Sequence, residues 1–337
     1  MRKGRLSGQI VFVLLMLAIL CLSHVEAATP SGTIAFIRDA DIYTVKLDGT
    51  NLHRLTSDSR NAFPIWSPNG QTIAFSKLSI SRNGEESANL WIISSDGRHA
   101  RRITPDKRLN AVYPVAWLPD MTGLLVSRHY LESDAYPTLD VVMLNGKPSR
   151  HLRRWMRTGR KHGFLHQFPN KSIFTMGSAG SFTQNGDLVF TASTTCFTDA
   201  PRLDLYKMHA DGSSLHRLTM ESRWFIDCLR ISPVNGMMLT SDSSVAERLQ
   251  PSIKLRDSHG RILKELSAIG QSSYGGIDWS PDGNYVIYQT TDSRYPRYEQ
   301  SAQFEEFSRH SSIWIMNPDG SRKKKIVSNA CHPNWRK

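Results

Sequence analysis

Apolar residues in this 337-residue chain fall into short runs of strand length, and the runs recur in a fixed order between turn residues. An aromatic or bulky apolar residue precedes a Ser-Pro-Asp-Gly-like turn, and a short apolar strand follows. A second apolar run then closes on Asp-Gly and ends on a Leu-Thr-like pair. Two copies are nearly complete. One is PIWSPNGQTIAFS from Pro64 with LWIISSDGRHARRIT from Leu90 to Thr104; the other is GIDWSPDGNYVIYQT from Gly276 with SIWIMNPDGSRKKKIV from Ser312 to Val327. A repeat of about 40–50 residues made of strand-sized pieces predicts an all-β propeller of four-stranded blades. Pro presets φ in the first turn, Asn and Gly accept positive φ, and Asp-Gly between apolar runs is a strong hairpin signal.

The two turns recur unequally. The first appears five times, at Ser67-Pro68-Asn69-Gly70, Leu118-Pro119-Asp120, Gln184-Asn185-Gly186, Ser232–Gly236 and Ser280-Pro281-Asp282-Gly283. The second appears six times, at Asp48-Gly49, Asp96-Gly97, Asn145-Gly146, Asp211-Gly212, His259-Gly260 and Asp319-Gly320. Gly32–Phe36 sits where a second strand belongs, with no first strand ahead of it. Cys331-His332-Pro333-Asn334-Trp335 has the form of a first strand and then stops. The C-terminal strand is therefore expected to join the N-terminal blade, leaving no open edge at the junction. The expected arrangement is six blades: 31–56 completed by 329–335, then 62–104, 112–152, 174–219, 225–266 and 275–327.

The WSPDG…IAF and LW…DG…LT grammar resembles the TolB-like propellers of bacterial periplasmic proteins, built from WD40-like PD40 repeats. The resemblance spans essentially all of residues 28–337 and implies a six-bladed ring. It begins without the separate N-terminal domain that precedes the propeller in TolB itself. Phe182 and Ile231 depart from the repeat by standing where Trp is expected. The recurrent Trp66, Trp91, Trp117, Trp279 and Trp314 are expected as wedges between blades.

The first 27 residues read as a signal peptide: Arg2, Lys3 and Arg5, then apolar Ile10–Leu22, then Val25-Glu26-Ala27. An apolar run of thirteen residues is short for a membrane span, although an uncleaved anchor is the alternative. Cleavage near Ala27 would place the chain in the periplasm or outside the cell. Removing the segment lowers the formal net charge of +12 by two, to about +10. Such a surplus suits an acidic partner or serves solubility. No nucleic-acid recognition motif accompanies it, and the reading calls for no cofactor, no metal and a monomer. Of the cysteines beyond the signal, Cys196 and Cys228 either form an interblade disulfide or remain two buried thiols.

In an up-and-down blade the two short turns share one end, and the long, unequal loops share the other. Long loops carry recognition, so a ligand is expected on the loop face, over the channel mouth. Arg150–Gln167 (RHLRRWMRTGRKHGFLHQ) offers Arg153, Arg154, Trp155, Arg157, His162 and His166 for an acidic partner, or forms a solvated basic loop. Arg294–Arg309 offers Tyr295, Arg297 and Tyr298, or forms a short amphipathic helix packing Phe304 and Phe307 onto the ring. Phe63, Tyr113, Asp227, Cys228, Tyr274, Cys331 and His332 are expected to ring the mouth.

No catalytic signature emerges. Gly177-Ser178-Ala179-Gly180 fails the spacing of a nucleophile elbow, and His-Glu-x-x-His and phosphate-binding glycine loops are absent. The enzymatic alternative is a lyase acting on acidic polysaccharide, of the oligogalacturonate-lyase kind, drawing on Arg157, His162, His166, His310 and His332; it rests on fold analogy. The expectation is a non-catalytic binding or scaffold propeller that engages a protein or cell-envelope component.

Overall fold

Strands that are apolar at successive positions need cover on both faces, and TIAFIR meets that demand by splitting its side chains between two cores. In β1 (Thr33–Arg38), Ile34 through Ile37 are all buried. Ile34 and Phe36 pack with Val45, Ile287, Ile313 and Trp335. Ala35 and Ile37, on the other face, pack with Trp66, Ile73 and Phe75. The period of two that directs side chains to opposite faces thus sends one strand into two interfaces between sheets.

The computed structural model describes residues 31–80, 86–104, 110–130, 138–145, 179–192, 203–210, 213–220, 225–244, 249–266, 276–292 and 304–336. After β1 come β2 (Asp41–Lys46) and β3 (His53–Arg54), then β4 (Asn61–Trp66), β5 (Thr72–Ile80), β6 (Glu86–Ser94) and β7 (Arg101–Arg102). Next are β8 (Asn110–Trp117), β9 (Gly123–Tyr130) and β10 (Thr138–Met143), followed by β11 (Gly180–Phe182), β12 (Leu188–Ala192), β13 (Asp204–Met208) and β14 (His216–Arg217). The fifth group is β15 (Phe225–Ile231), β16 (Met238–Ser244), β17 (Leu249–Arg256) and β18 (Ile262–Glu265). The chain ends with β19 (Ile277–Trp279), β20 (Val286–Thr291), helix α1 (Phe304–Arg309), β21 (Ser311–Met316), β22 (Lys324–Ser328) and β23 (Cys331–Trp335).

These strands form four four-stranded sheets and one seven-stranded sheet, in an all-β propeller arrangement. The sequence led to six separate blades. The described residues instead give five sheets, because one parallel pairing, Ala88↔Ala111, joins β6 to β8 and merges two groups. The first sheet has the order β23-β1-β2-β3, with β23 antiparallel to β1. Ile34, Ala35 and Ile37 of β1 thus face Trp335, Asn334 and Cys331 of β23.

The Leu-Thr ending has a physical cause. Asp41 opens β2 fully buried and accepts from Arg54 Nη2 at 2.6 Å, Thr56 Oγ1 at 2.8 Å and Asn61 Nδ2 at 3.0 Å. The Thr56 hydroxyl oxygen also accepts from the Ile42 backbone N–H at 2.9 Å, so the side chain extends the ladder after the outer strand ends. The same latch recurs in two further sheets. Asp204 accepts from Arg217 and from Thr219 Oγ1 at 3.0 Å, and Leu205 N–H donates to Thr219 at 3.0 Å. Asn89 accepts from Thr104 at 3.2 Å, and Leu90 N–H donates to Thr104 at 3.0 Å. The fifth group lacks this pattern. There Arg256, fully buried, donates to Asp242 at 2.6 Å, to Thr240 at 3.0 Å and to the Gly260 carbonyl at 2.9 Å.

Replacing Asp41 with Ala removes the fully buried acceptor that gathers the Thr56 hydroxyl, the Asn61 amide and the Asp58 and Ser59 N–H groups. We expect a loss of about 2–4 kcal/mol in urea unfolding and a clearly smaller one for Arg54→Ala, whose side chain is nearly half exposed. Equal losses would show that the ion pair, rather than the buried hydrogen-bond hub, carries the latch.

Candidate binding site on the inner strands

The first strand of a blade is its innermost, and four of these inner strands bulge near the same repeat position. The register shifts between Ala62 and Ile65 in β4 and between Pro114 and Ala116 in β8. It shifts again between Ile226 and Cys228 in β15, and where β23 faces Ala35 and Ile37 of β1. Bulges re-aim side chains and gather at functional rims. In β4 and β23 the cause is visible: Phe63 has φ of 52° and His332 of 51°, each directly before a proline. A residue before proline favours extended backbone, and left-handed backbone at Phe and His is uncommon, so both positions are held by their surroundings.

Those surroundings form a row of rings. His332 meets Phe63 edge-on at 4.5 Å between centroids, and Phe63 meets Tyr113 of β8 at 5.1 Å. Tyr113 meets His129 of β9 at 5.1 Å, and Phe307 of α1 lies 6.1 Å from His332 at the other end. The His332 backbone N–H donates to Gln289 Oε1 at 2.9 Å, and its Nδ1 lies 3.3 Å from the Cys331 Sγ. His129 Nε2 lies 3.1 Å from Ser127 Oγ. Burial pushes both imidazoles down from an ordinary 6.5, His332 to about 3 and His129 to about 4. Neutral rings with such low values are weak proton acceptors near neutral pH, so the row suits packing and hydrogen bonding better than acid–base catalysis.

α1 is held against the first sheet from above the row. The β1–β2 turn is only Asp39-Ala40, at φ of 49° and 56°, values that usually call for Asn-Gly. Asp39 N–H donates to Ser308 Oγ at 3.1 Å, and Arg309 lies 3.6 Å from the Asp39 carboxylate. Phe307 is buried between this turn's sheet and His332. This is the amphipathic-helix alternative for Arg294–Arg309, fulfilled at Phe307.

Of the predicted site residues, the structure brings Phe63, Tyr113 and His332 together; His332 is buried within the row. Asp227 is the bulged residue of β15 by register, and its side chain lies outside the description. Arg153, Arg154, Trp155, Arg157, His162, His166, Tyr274, Tyr295, Arg297 and Tyr298 lie outside the described residues. So does Cys196; its suggested partner Cys228 is buried in the core with Trp279 and Tyr288. Burial pushes the Cys331 thiol far up, which keeps it a thiol. Among the described residues, no group of three or more His, Cys, Asp or Glu is placed to hold a metal ion. No described helix is long and apolar enough to cross a membrane.

The tryptophans divide by strand. Trp66, Trp117 and Trp279, on inner strands, are buried wedges, and Trp117 and Trp279 donate their indole N–H to the Ile65 and Arg230 carbonyls at 3.2 and 3.3 Å. Trp91 and Trp314 sit further out and only half buried, beneath Lys77 at 4.8 Å and Lys325 at 5.7 Å. His129 carried no sequence signal, because it comes from a second strand at a position the repeat does not mark.

The fold is similar to known propellers. The crystal structure of a nidogen/laminin complex matches with a TM-score of 0.61 and 13% identity, over 91% of this chain and 99% of that one. A protein described as TolB from Agrobacterium tumefaciens matches at 0.57 and 14%, over 91% and 92%. In sequence, the uncharacterized peptidase YuxL of Bacillus subtilis is 32% identical over 117 residues, which is 32% of this chain but only 17% of that protein's length. No protein-family model matches the sequence. At these identities the structural likeness concerns the fold, and the class it defines is the β-propeller.

The two buried imidazoles make stability depend on pH. Below about 6.5 the unfolded chain takes up protons that the folded one refuses. Their contribution is complete above that value and declines as pH falls toward their folded values, by about 1.4 kcal/mol per unit for each group. His332→Gln should therefore flatten the fall in unfolding free energy between pH about 6 and about 4, read by urea titrations across that range. An unchanged slope would mean that His332 is protonated in the fold.

Proposed function

We propose that this chain is an exported, six-bladed β-propeller that binds a protein or cell-envelope partner through its loop face and is not itself catalytic. The six-blade reading counts the seven-stranded sheet as two groups held by one pairing. It is supported by contacts between inner strands that run from β4 to β8, β11, β15, β19, β23 and back to β4. The side chain of Asn334 supports the same ring: it accepts from the Trp66 N–H at 2.6 Å and donates to Asp278 at 2.7 Å. Residues 1–27 direct export, which puts the propeller in the periplasm or outside the cell.

The binding reading rests above all on the row of aromatic and neutral imidazole rings set on bulged inner strands. Backbone held in an uncommon conformation at two equivalent positions is a feature that packing alone does not require. Its half-buried rings, Phe63, Tyr113 and His129, offer apolar faces with few polar atoms, suited to an apolar or aromatic anchor from a partner, with longer loops supplying the rim.

A photo-reactive phenylalanine analogue placed at Tyr113 or at exposed Ile80, both at the loop end, should give the same cross-linked adduct in cells. Val234, exposed on a short turn at the opposite end, should give none. Adducts from Val234 alone would reverse the assignment of the faces, and their absence at Tyr113 and Ile80 would end the binding reading. Export is checked separately: the purified protein should have lost residues 1–27 by mass, and a full-length product left in the cytoplasm would overturn it.

A further inference from the structure

We infer that the outer edges of β18 and β22 together form a membrane-surface contact that recognises anionic lipid headgroups. This surface is separate from the inner-strand row, and the inference stands independently of the binding role proposed there. Each strand pairs on one side only, β18 with β17 and β22 with β21, so each is the outer edge of its sheet. Arg322, Lys323, Lys324 and Lys325 follow one another on the β21–β22 turn and edge, all exposed. Lys264 on β18 is exposed too, and the Arg261 side chain just before it is 78% exposed.

The two edges are neighbours. The Lys323 ammonium donates to the Leu266 carbonyl at 2.9 Å, at the end of β18, and Lys264 is close enough to Asp319 to help lower its pKa. Three carboxylates share the surface. Asp257 pairs with Arg261 at 3.1 Å, Asp319 accepts from its own turn at Ser321, and Glu265 is exposed. Six cations against three carboxylates leave a local positive excess. Between the cations stand Ile262 and Leu263, 40% and 47% exposed, two of the few large apolar side chains the described surface leaves open.

That pairing decides the ligand. Lysines alone on an edge strand would serve to prevent edge-to-edge pairing. A soluble polyanion would be attracted to the cations but would gain nothing from two exposed aliphatic side chains. An anionic bilayer uses both, with phosphates against the ammonium groups and Ile262 and Leu263 entering the headgroup boundary.

The test is co-sedimentation of the chain lacking residues 1–27 with vesicles of phosphatidylcholine alone or containing about one-quarter phosphatidylglycerol, in about 50 mM and about 300 mM salt. We expect binding only to the anionic vesicles, weakening with salt. Lys264→Glu with Lys324→Glu should weaken it by at least about tenfold, while Arg98→Glu with Arg101→Glu, on another exposed edge, should change it by less than about threefold. Ile262→Ser with Leu263→Ser should keep the low-salt binding and lose most of what survives at high salt. The inference is overturned if the wild type ignores anionic vesicles or if both charge reversals weaken binding equally. It also fails if soluble polyphosphate abolishes binding while the serine variant behaves as wild type, or if sedimentation reflects self-association without lipid.

Discussion

One hydrogen-bonded side chain on β23 ties that strand to β4 and β19. Asn334 accepts the Trp66 backbone N–H and donates to Asp278, and the same carboxylate accepts the Trp335 N–H at 2.9 Å. Three inner strands, β4, β19 and β23, thereby share one buried polar contact. Such a contact contributes most through what its loss would leave unpaired in an apolar core. Gly276 makes room for it: a Cβ there would stand 2.7 Å from the Pro333 ring. The placement of His332 beside Phe63, and so the row of rings, depends on β23 being seated by this contact.

Much of this arrangement is legible in the residues. The turns announce themselves because their chemistry is local, and the imbalance between the two turn types led to β23 pairing with β1, which the structure contains. The position of Phe63, Tyr113 and His332 on neighbouring inner strands followed from repeat register. What the sequence withheld is tertiary. The Leu-Thr ending was visible as a pattern, but its reason appears only when Thr56, Thr104 and Thr219 are seen completing buried latches with Asp41, Asn89 and Asp204. Trp91 and Trp314 looked equivalent to the wedges; their place on the third strand of a blade instead leaves each half exposed under a lysine. The separation into blades was also less clean than the repeat suggests, since Ala88 and Ala111 are small enough for two strands to approach and pair.

The electrostatics follow the architecture. Carboxylates near the inner and middle strands are buried and matched: Asp41 with Arg54, Asp204 with Arg217, Asp242 with Arg256 and Lys254. Outer strands carry His53-Arg54, Arg101-Arg102, His216-Arg217 and Lys324-Lys325, all exposed. Among the described residues, exposed positive charge therefore lines the outer strands, while the ring row at the inner strands is nearly uncharged. The two surfaces differ in chemistry as well as in place.

The pairing of β23 with β1 also sets an order of events during synthesis. Among the described strands β1 is synthesised first, and its inner neighbour β23 is synthesised after all the others. Until β23 is made, the first sheet presents an unpaired inner edge and an incomplete core. Folding from the N-terminus outward cannot finish that sheet, and whatever shields a nascent chain must shield this edge longest. A product that stops before β23 would keep the other described strands and lose the one that completes the inner edge of the first sheet.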